Sequence, residues 1–308
     1  MQRVSNHIFR MKPPRTETSR IVTSLALAAA IFVLAGPSLP ESRAGQLKPD
    51  TAAAFARYIQ SKDAHSDKEL TDSKTFLWVD ALPEPTRAQS YADLKRGQII
   101  TRRSDFCGDC SSIPGGLIHD WTGIVFIPGI SLPQALAALQ DYDRDAEYYQ
   151  PDVVKSKLLE KSGDDFHTYL RLKQVHIIAV VLDTEYDVLY TLLDATHAES
   201  RSLSSRIAEV ENAGDPRERD LPVGDDHGFL WRLNSYWRFY QADGGVYLQC
   251  NAISLTRNVP TGLGWLVRPF IENVPRESLN FTLDATRNAL LARFSRPAGS
   301  AIAASQLR

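Results

Sequence analysis

The sequence predicts an α+β fold, a curved antiparallel sheet wrapped around one long C-terminal helix, with a small helical extension ahead of it. Three observations carry the prediction. Two strand-like runs, FLWRLNSYWRFY and GVYLQCNAISLT, flank the turn Ala242-Asp243-Gly244-Gly245. Leu279, Leu283, Thr286, Leu290 and Phe294 recur every three or four residues, the apolar stripe of a helix. Between Leu117 and Glu211 strand-like segments follow one another at regular spacing, as in an antiparallel sheet with one solvated face.

The N-terminus is expected to lie outside the fold. Arg3, Arg10, Lys12, Arg15 and Arg20 precede the apolar run IVTSLALAAAIFVLAG, Ile21 to Gly36. That run is short for a bilayer span of roughly 20 residues. Pro37 and Pro40 break it, and Ser42-Arg43-Ala44 offers a small-x-small cleavage site. Residues 1–44 therefore read as a secretory signal peptide cut after Ala44, which would place the protein in the periplasm or outside the cell. The alternative is an uncleaved signal anchor. No other segment reaches spanning length. Of 308 residues, 43% are hydrophobic and 23% charged, ordinary values for a globular chain. Residues 1–44 hold six Lys/Arg and two Asp/Glu, so the mature chain carries 29 basic and 35 acidic groups, a formal charge of −6. Nothing in that balance points to nucleic acid or anionic lipid.

Residues 45–116 form the extension. Asp50 caps a short helix running to Gln60, residues 61–75 read as a polar loop, and Ala88 to Lys95 gives another short helix. Cys107-Gly-Asp-Cys110 has the CxxC spacing. A redox motif needs its first thiolate at a helix N-terminus, and the flank Ser111 to Gly116 is a loop. Zinc needs two further ligands, and only His119 is near. A small structural disulfide and a pair of free thiols both remain open, ahead of redox or metal roles. Cys250 reads as a buried small hydrophobe in a strand.

Residues 117–295 form the main domain. Leu117 to Ile127 is its first strand, ended by Pro128-Gly129. Ser131 caps a helix with Pro133 in its first turn and Leu132, Leu136 and Leu139 on its buried side. Strands follow at Val153 to Glu160, Phe166 to Ile177, Ile178 to Leu193 and Ser200 to Glu211, then a charged loop from Asn212 to Asp226. In the strand from Phe229, Trp231, Leu233, Ser235, Trp237 and Phe239 share one face. The closing helix is expected to start near Pro275, and residues 296–308 read as a disordered tail.

The order of strand, helical pair, antiparallel strands and long C-terminal helix resembles the START-like helix-grip superfamily over about residues 117–294. The stretch GISLPQALAALQDYDRDAEYYQPDVVKSKLLE is similar to the helix and second strand of coenzyme Q-binding and polyketide cyclase-like members. The resemblance implies an apolar tunnel between sheet and final helix, with the loop Thr261 to Val274 at its mouth. It implies no fixed catalytic motif.

The chemistry expected is accordingly binding. No nucleophile elbow, phosphate-cradling Gly loop or HExxH is present, and no catalytic residue, cofactor or metal is assigned. His119 and Asp120 are strand neighbours facing opposite ways. Among the strand charges Arg171, Arg206, Arg232 and Arg238, cross-strand ion pairing is the ordinary role. Arg206 is the one expected to reach inward, where it could fix a ligand's carboxylate or phosphate. The expected binding surface is Trp231, Leu233, Trp237, Phe239 and Arg206 facing Leu279, Leu283 and Leu290, with Trp265 and Phe270 at the mouth. The expected partner is a hydrophobic small molecule or lipid. A cyclase-like enzyme acting on an aromatic or polyketide-type substrate, and an envelope interaction domain with a filled core, are the two other readings.

Overall fold

The structure, a computed structural model, describes residues 45–71, 75–106, 113–175, 179–258 and 264–294. The expected signal peptide, the CxxC pair Cys107 and Cys110, and the tail lie outside the described residues. Within the closing helix, side chains are described from residue 273 onward.

Among the described residues, nine strands build one open antiparallel sheet. They are β1 (Ile100–Arg103), β2 (Gly116–Pro128), β3 (Val153–Ser162), β4 (Asp165–Val175), β5 (Ala179–Leu192), β6 (His197–Glu211), β7 (Arg219–Asp220), β8 (Arg232–Ala242) and β9 (Gly245–Arg257). The path across the sheet is β1-β2-β9-β8-β6-β5-β4-β3, with β7 attached to β6. Five α-helices accompany it among the described residues: α1 (Pro49–Thr71), α2 (Thr86–Lys95), α3 (Leu132–Leu139), α4 (Asp145–Tyr148) and α5 (Gly264–Phe294). The arrangement is α+β and helix-grip-like.

The main core lies between one face of the sheet, here the inner face, and helices α3 and α5. Val125 and Ile127 of β2, Val246, Leu248 and Cys250 of β9, and Phe239 of β8 pack with Leu132 and Ala135 of α3 and Leu279, Leu283 and Leu290 of α5. Gly123 makes the seat. A Cβ there would fall 2.5 Å from Leu283 Cδ1 and 3.3 Å from Leu279 Cδ2, so the two leucines occupy the space of a side chain.

The opposite, outer face carries the N-terminal segment. Phe76, Leu77, Val79 and Leu94 pack on Ile124, Phe126 and Tyr247. Phe55 and Tyr58 of α1 pack on Trp231, Ile253 and Leu255. Polar anchors complete the attachment. Tyr58 donates to Asp120 Oδ2 at 2.7 Å, beside Lys62 Nζ at 3.2 Å. Arg238 donates to the Phe76 carbonyl, Ser66 Oγ and Glu69 Oε2 at 2.8, 2.8 and 2.9 Å.

Two elements differ from the sequence expectation. α1 runs through Thr71 rather than ending at Gln60. Its second half is polar because it meets Asp120, Arg201 and Arg238 of the sheet, so hydrophobic spacing gives no sign of it. α5 begins at Gly264 and spans 31 residues. Pro275, expected in its first turn, lies in its interior, and the expected mouth loop is helical from Gly264 onward.

Leu283 is fully buried on the Gly123 seat. Replacing Leu283 by Ala is expected to cost about 2–5 kcal/mol of unfolding free energy in urea denaturation. A cost under about 1 kcal/mol would mean that α5 is not held by this contact.

Candidate functional site

The inner face is not uniform along the strands. Its register gives three cross-strand rows. Val125, Leu248, Phe239 and Ala198 form the first, and all four are buried. Gly123, Cys250, Trp237, Ser200 and Tyr190 form the second. Trp121, Ala252, Ser235, Ser202, Val188 and Phe166 form the third. From the first row to the third, large apolar side chains in mid-sheet give way to Ser, Ala and Cys. Trp121, Leu170, Leu233, Trp237 and Ala252 are only half-buried there, as are Ser202 and Ser235. Small residues with half-exposed tryptophans and leucines around them leave a shallow, largely apolar floor beside the sealed core.

The sealed end carries a tyrosine cluster. Tyr142 and Tyr190 share a hydroxyl hydrogen bond of 3.0 Å, and Tyr190 donates to the Leu139 carbonyl at 3.2 Å. Tyr149 and Thr286 of α5 are bonded at 2.9 Å. Asp145 is buried near them, and burial, reinforced by the charges of Asp141 and Asp143, holds its carboxyl well above the usual range. Burial likewise pushes the Cys250 thiol up, leaving it a neutral, unreactive packing group.

At the other end of the face sits His119, which sequence reading set aside. It alternates with Trp121 and Gly123 on β2, is buried, and its Nε2 lies 3.1 Å from Thr256 Oγ1. Burial and the Arg103 charge lower its pKa to about 4. Asp120 faces the other way, to Tyr58 and Asn251 Nδ2 at 2.6 Å, so the two form no dyad.

The expected binding residues separate into groups. Phe239, Leu279, Leu283 and Leu290 are sealed in the core. Leu233 and Trp237 border the floor. Trp231 stands on the outer face with Tyr58 and donates its indole N–H to Asp226 Oδ1 at 3.0 Å. β8 begins only at Arg232, so the strict alternation does not extend back to Trp231. Arg206 also lies outward. The pairing of β5 with β6 shifts register between Glu185 and Tyr186, which face Arg206 and Ser204, so Ser204 and Arg206 lose the common face that alternation gives them. Arg206 pairs with Asp220 and, at 3.8 Å, with Glu185. Arg171 grips Asp183 with bonds of 2.6 and 2.7 Å and Glu218 at 2.8 Å, so this part of the outer face is an ion-pair array. Trp265 and Phe270 lie on α5, and their side chains are outside the described ones.

A separate surface groove of about 550 Å³ runs between α4 and the flank of α5, lined by residues including Arg144, Tyr148, Phe281, Asn288 and Arg293. Among the described residues, no group of three His, Cys, Asp or Glu is placed to hold a metal ion.

No protein-family model matches the chain, and no curated protein sequence matches it. Solved structures give partial likenesses. A STAR-related lipid transfer protein fragment from Xanthomonas axonopodis is 18% identical, with a TM-score of 0.42, covering 62% of this chain and 93% of that one. The Zhui aromatase/cyclase from Streptomyces sp. R1128 is 16% identical, with a TM-score of 0.40, covering 59% and 99%. A START superfamily protein from Mycobacterium smegmatis is 11% identical, with a TM-score of 0.39, covering 56% and 98%. These are distant likenesses, and the fold assignment rests on this chain's own sheet order and closing helix.

The state of His119 gives a pH signature. The unfolded chain protonates it below its ordinary pKa of 6.5, whereas the folded chain does so only near 4. Unfolded protein binds the extra proton between those values, so stability falls as pH drops through that window, by up to about 3 kcal/mol. Denaturation of His119→Gln across this range should show a shallower slope than wild type. Equal slopes would mean that His119 is solvated in the folded protein.

Proposed function

We propose that the protein binds a hydrophobic small molecule or lipid against the inner sheet face, over the floor made by Ser200, Ser202, Ser235 and Ala252. One observation carries the reading. The middle of the face that α3 and α5 cover bears small side chains, and the large residues around them stay half-exposed. A core built only for stability would fill this position with Leu, Ile or Phe, because each methylene buried contributes about 0.8 kcal/mol. Trp121, Trp237, Leu170 and Leu233 supply apolar walls. The serine hydroxyls offer a few hydrogen bonds for a ligand's polar end, the usual make-up of a small-molecule site. Binding therefore moves from the surface expected between Phe239 and the α5 leucines to the neighbouring strip.

We also infer that the protein is exported. The support is the basic segment, the apolar run Ile21 to Gly36 and the small residues ending at Ala44.

Filling the floor tests the binding site. Fluorescence titration with a fluorescent fatty acid should show saturable binding to wild type. Ser202→Trp should weaken it at least tenfold, about 1.4 kcal/mol, while leaving the melting temperature near wild type. The matching outer-face change, Leu189→Trp, should leave binding unaltered. Equal loss in both variants, or equal binding in all three proteins, would overturn the assignment.

A further inference from the structure

A second polar feature lies on the outer side of the sheet, where residues 45–47 run along the loop before β8. Gln46 bridges Asp225, and the Leu47 amide donates to the Gly224 carbonyl at 2.6 Å. Gly45 is pressed on the same loop. A side-chain carbon on it would lie 1.8 Å from the Asp226 carbonyl oxygen and 3.0 Å from the His227 carbonyl carbon, so only glycine fits.

Asp226, on that loop, and Glu209 of β6 both carry buried carboxyl groups, 8% and 4% exposed. Asp226 Oδ1 accepts from the Gly228 amide at 2.7 Å and from Trp231 Nε1. Asp226 Oδ2 is buried with no hydrogen-bond partner. The Gly224 backbone also acts on this carboxyl and favours its charged form. Glu209 accepts from His227 Nδ1 at 2.8 Å and from the Phe229 amide at 3.1 Å. Among the described residues no Lys or Arg pairs with either acid. Burial and the Glu209 charge push the Asp226 pKa up to about 6. Two carboxyl groups out of water without a fixed cation are a costly arrangement unless a positive group is supplied.

We propose that cleavage of the Ala44–Gly45 bond supplies it: the new α-ammonium of Gly45 docks on Asp226 and locks the mature N-terminus onto the sheet. The inference rests on the export reading. A processing peptidase adds water across the amide, leaving the carboxylate on Ala44 and a protonated amine on Gly45. An amide nitrogen in the uncut chain carries no charge, whereas the freed amine has an ordinary pKa of about 8 and is mostly protonated at neutral pH. Gly45 thus serves twice: its lack of a side chain permits the close approach, and its amine brings the missing charge.

The test uses full-length protein expressed in a host with export machinery. Intact mass and N-terminal peptide mapping should show a chain starting at Gly45. An amine-acylating reagent at neutral pH should then label Gly45 at least tenfold more slowly in wild type than in Asp226→Asn, equivalent to one unit of pKa. Asp226→Asn keeps an oxygen acceptor for Trp231. Should that variant not fold, a free peptide of residues 45–50 replaces it as the fast reference. A chain that keeps residues 1–44 sinks the cleavage on which the inference depends. A chain starting at Gly45 that labels as fast as either reference overturns the docking and leaves export standing. A start at any other residue overturns the proposal.

Discussion

The pairing of β2 with β9, covered on both faces, is the constraint on which the rest depends. Thirteen residues of each strand are in register, from Gly116 with Arg257 to Pro128 with Gly245. One face receives α5 through Leu279 and Leu283 at Gly123. The other receives the N-terminal segment through Phe76, Leu77 and Tyr58. A strand pair packed on both sides is held by contacts from two directions and forms the central wall on which both layers rest. Strands β5, β4 and β3 extend away from it with an outer face that carries ion pairs instead of a helical layer. The closing helix lies over the central wall, and the small-residue floor begins where its leucine contacts end.

That division explains where polar groups are tolerated. On the outer face every strand arginine that the sequence brings to notice has an acceptor: Arg171, Arg206 and Arg238 bond carboxylates, and Arg232 donates to the Trp231 carbonyl at 2.7 Å. Together these pairs fix which face is outward; the most exposed of them, Arg206 with Asp220, adds little stability by itself. The inner face holds hydroxyls and neutral titratable groups instead. His119 and Cys250 are both shifted toward their uncharged forms by burial. A surface of this character suits a largely apolar ligand with a small polar end.

Much of the fold was legible in the sequence, for reasons that also mark where legibility stops. The strand expected from Phe166 is present as β4, with Phe166 and Leu170 packed on the inner core and His167, Tyr169 and Arg171 bonded to carboxylates on its wet face. The stripe from Leu279 to Leu290 was correct because Gly123 accepts leucines at that spacing. Alternation failed at Trp231 and Arg206, where a strand begins late and where a bulge adds one residue. Pattern counting has no means of seeing either. The second half of α1 was read as loop because it docks through Lys62, Ser66, Asp67 and Glu69 rather than through apolar residues. The floor was missed because its signal is small size. Ser200, Ser202 and Ser235 look like ordinary surface residues until the register sets them together with Ala252 and Cys250 on the face that the helices cover.

The central claim is that this floor is ligand space and not packed core. Crystals grown with a brominated fatty acid test it most directly, through the anomalous signal of the bromine. The account predicts a bromine peak over Ser202 and Ser235, between Trp121 and Trp237. A fully occupied strip filled by the protein's own side chains, with bromine absent or bound only in the outer groove beside α4, would contradict it.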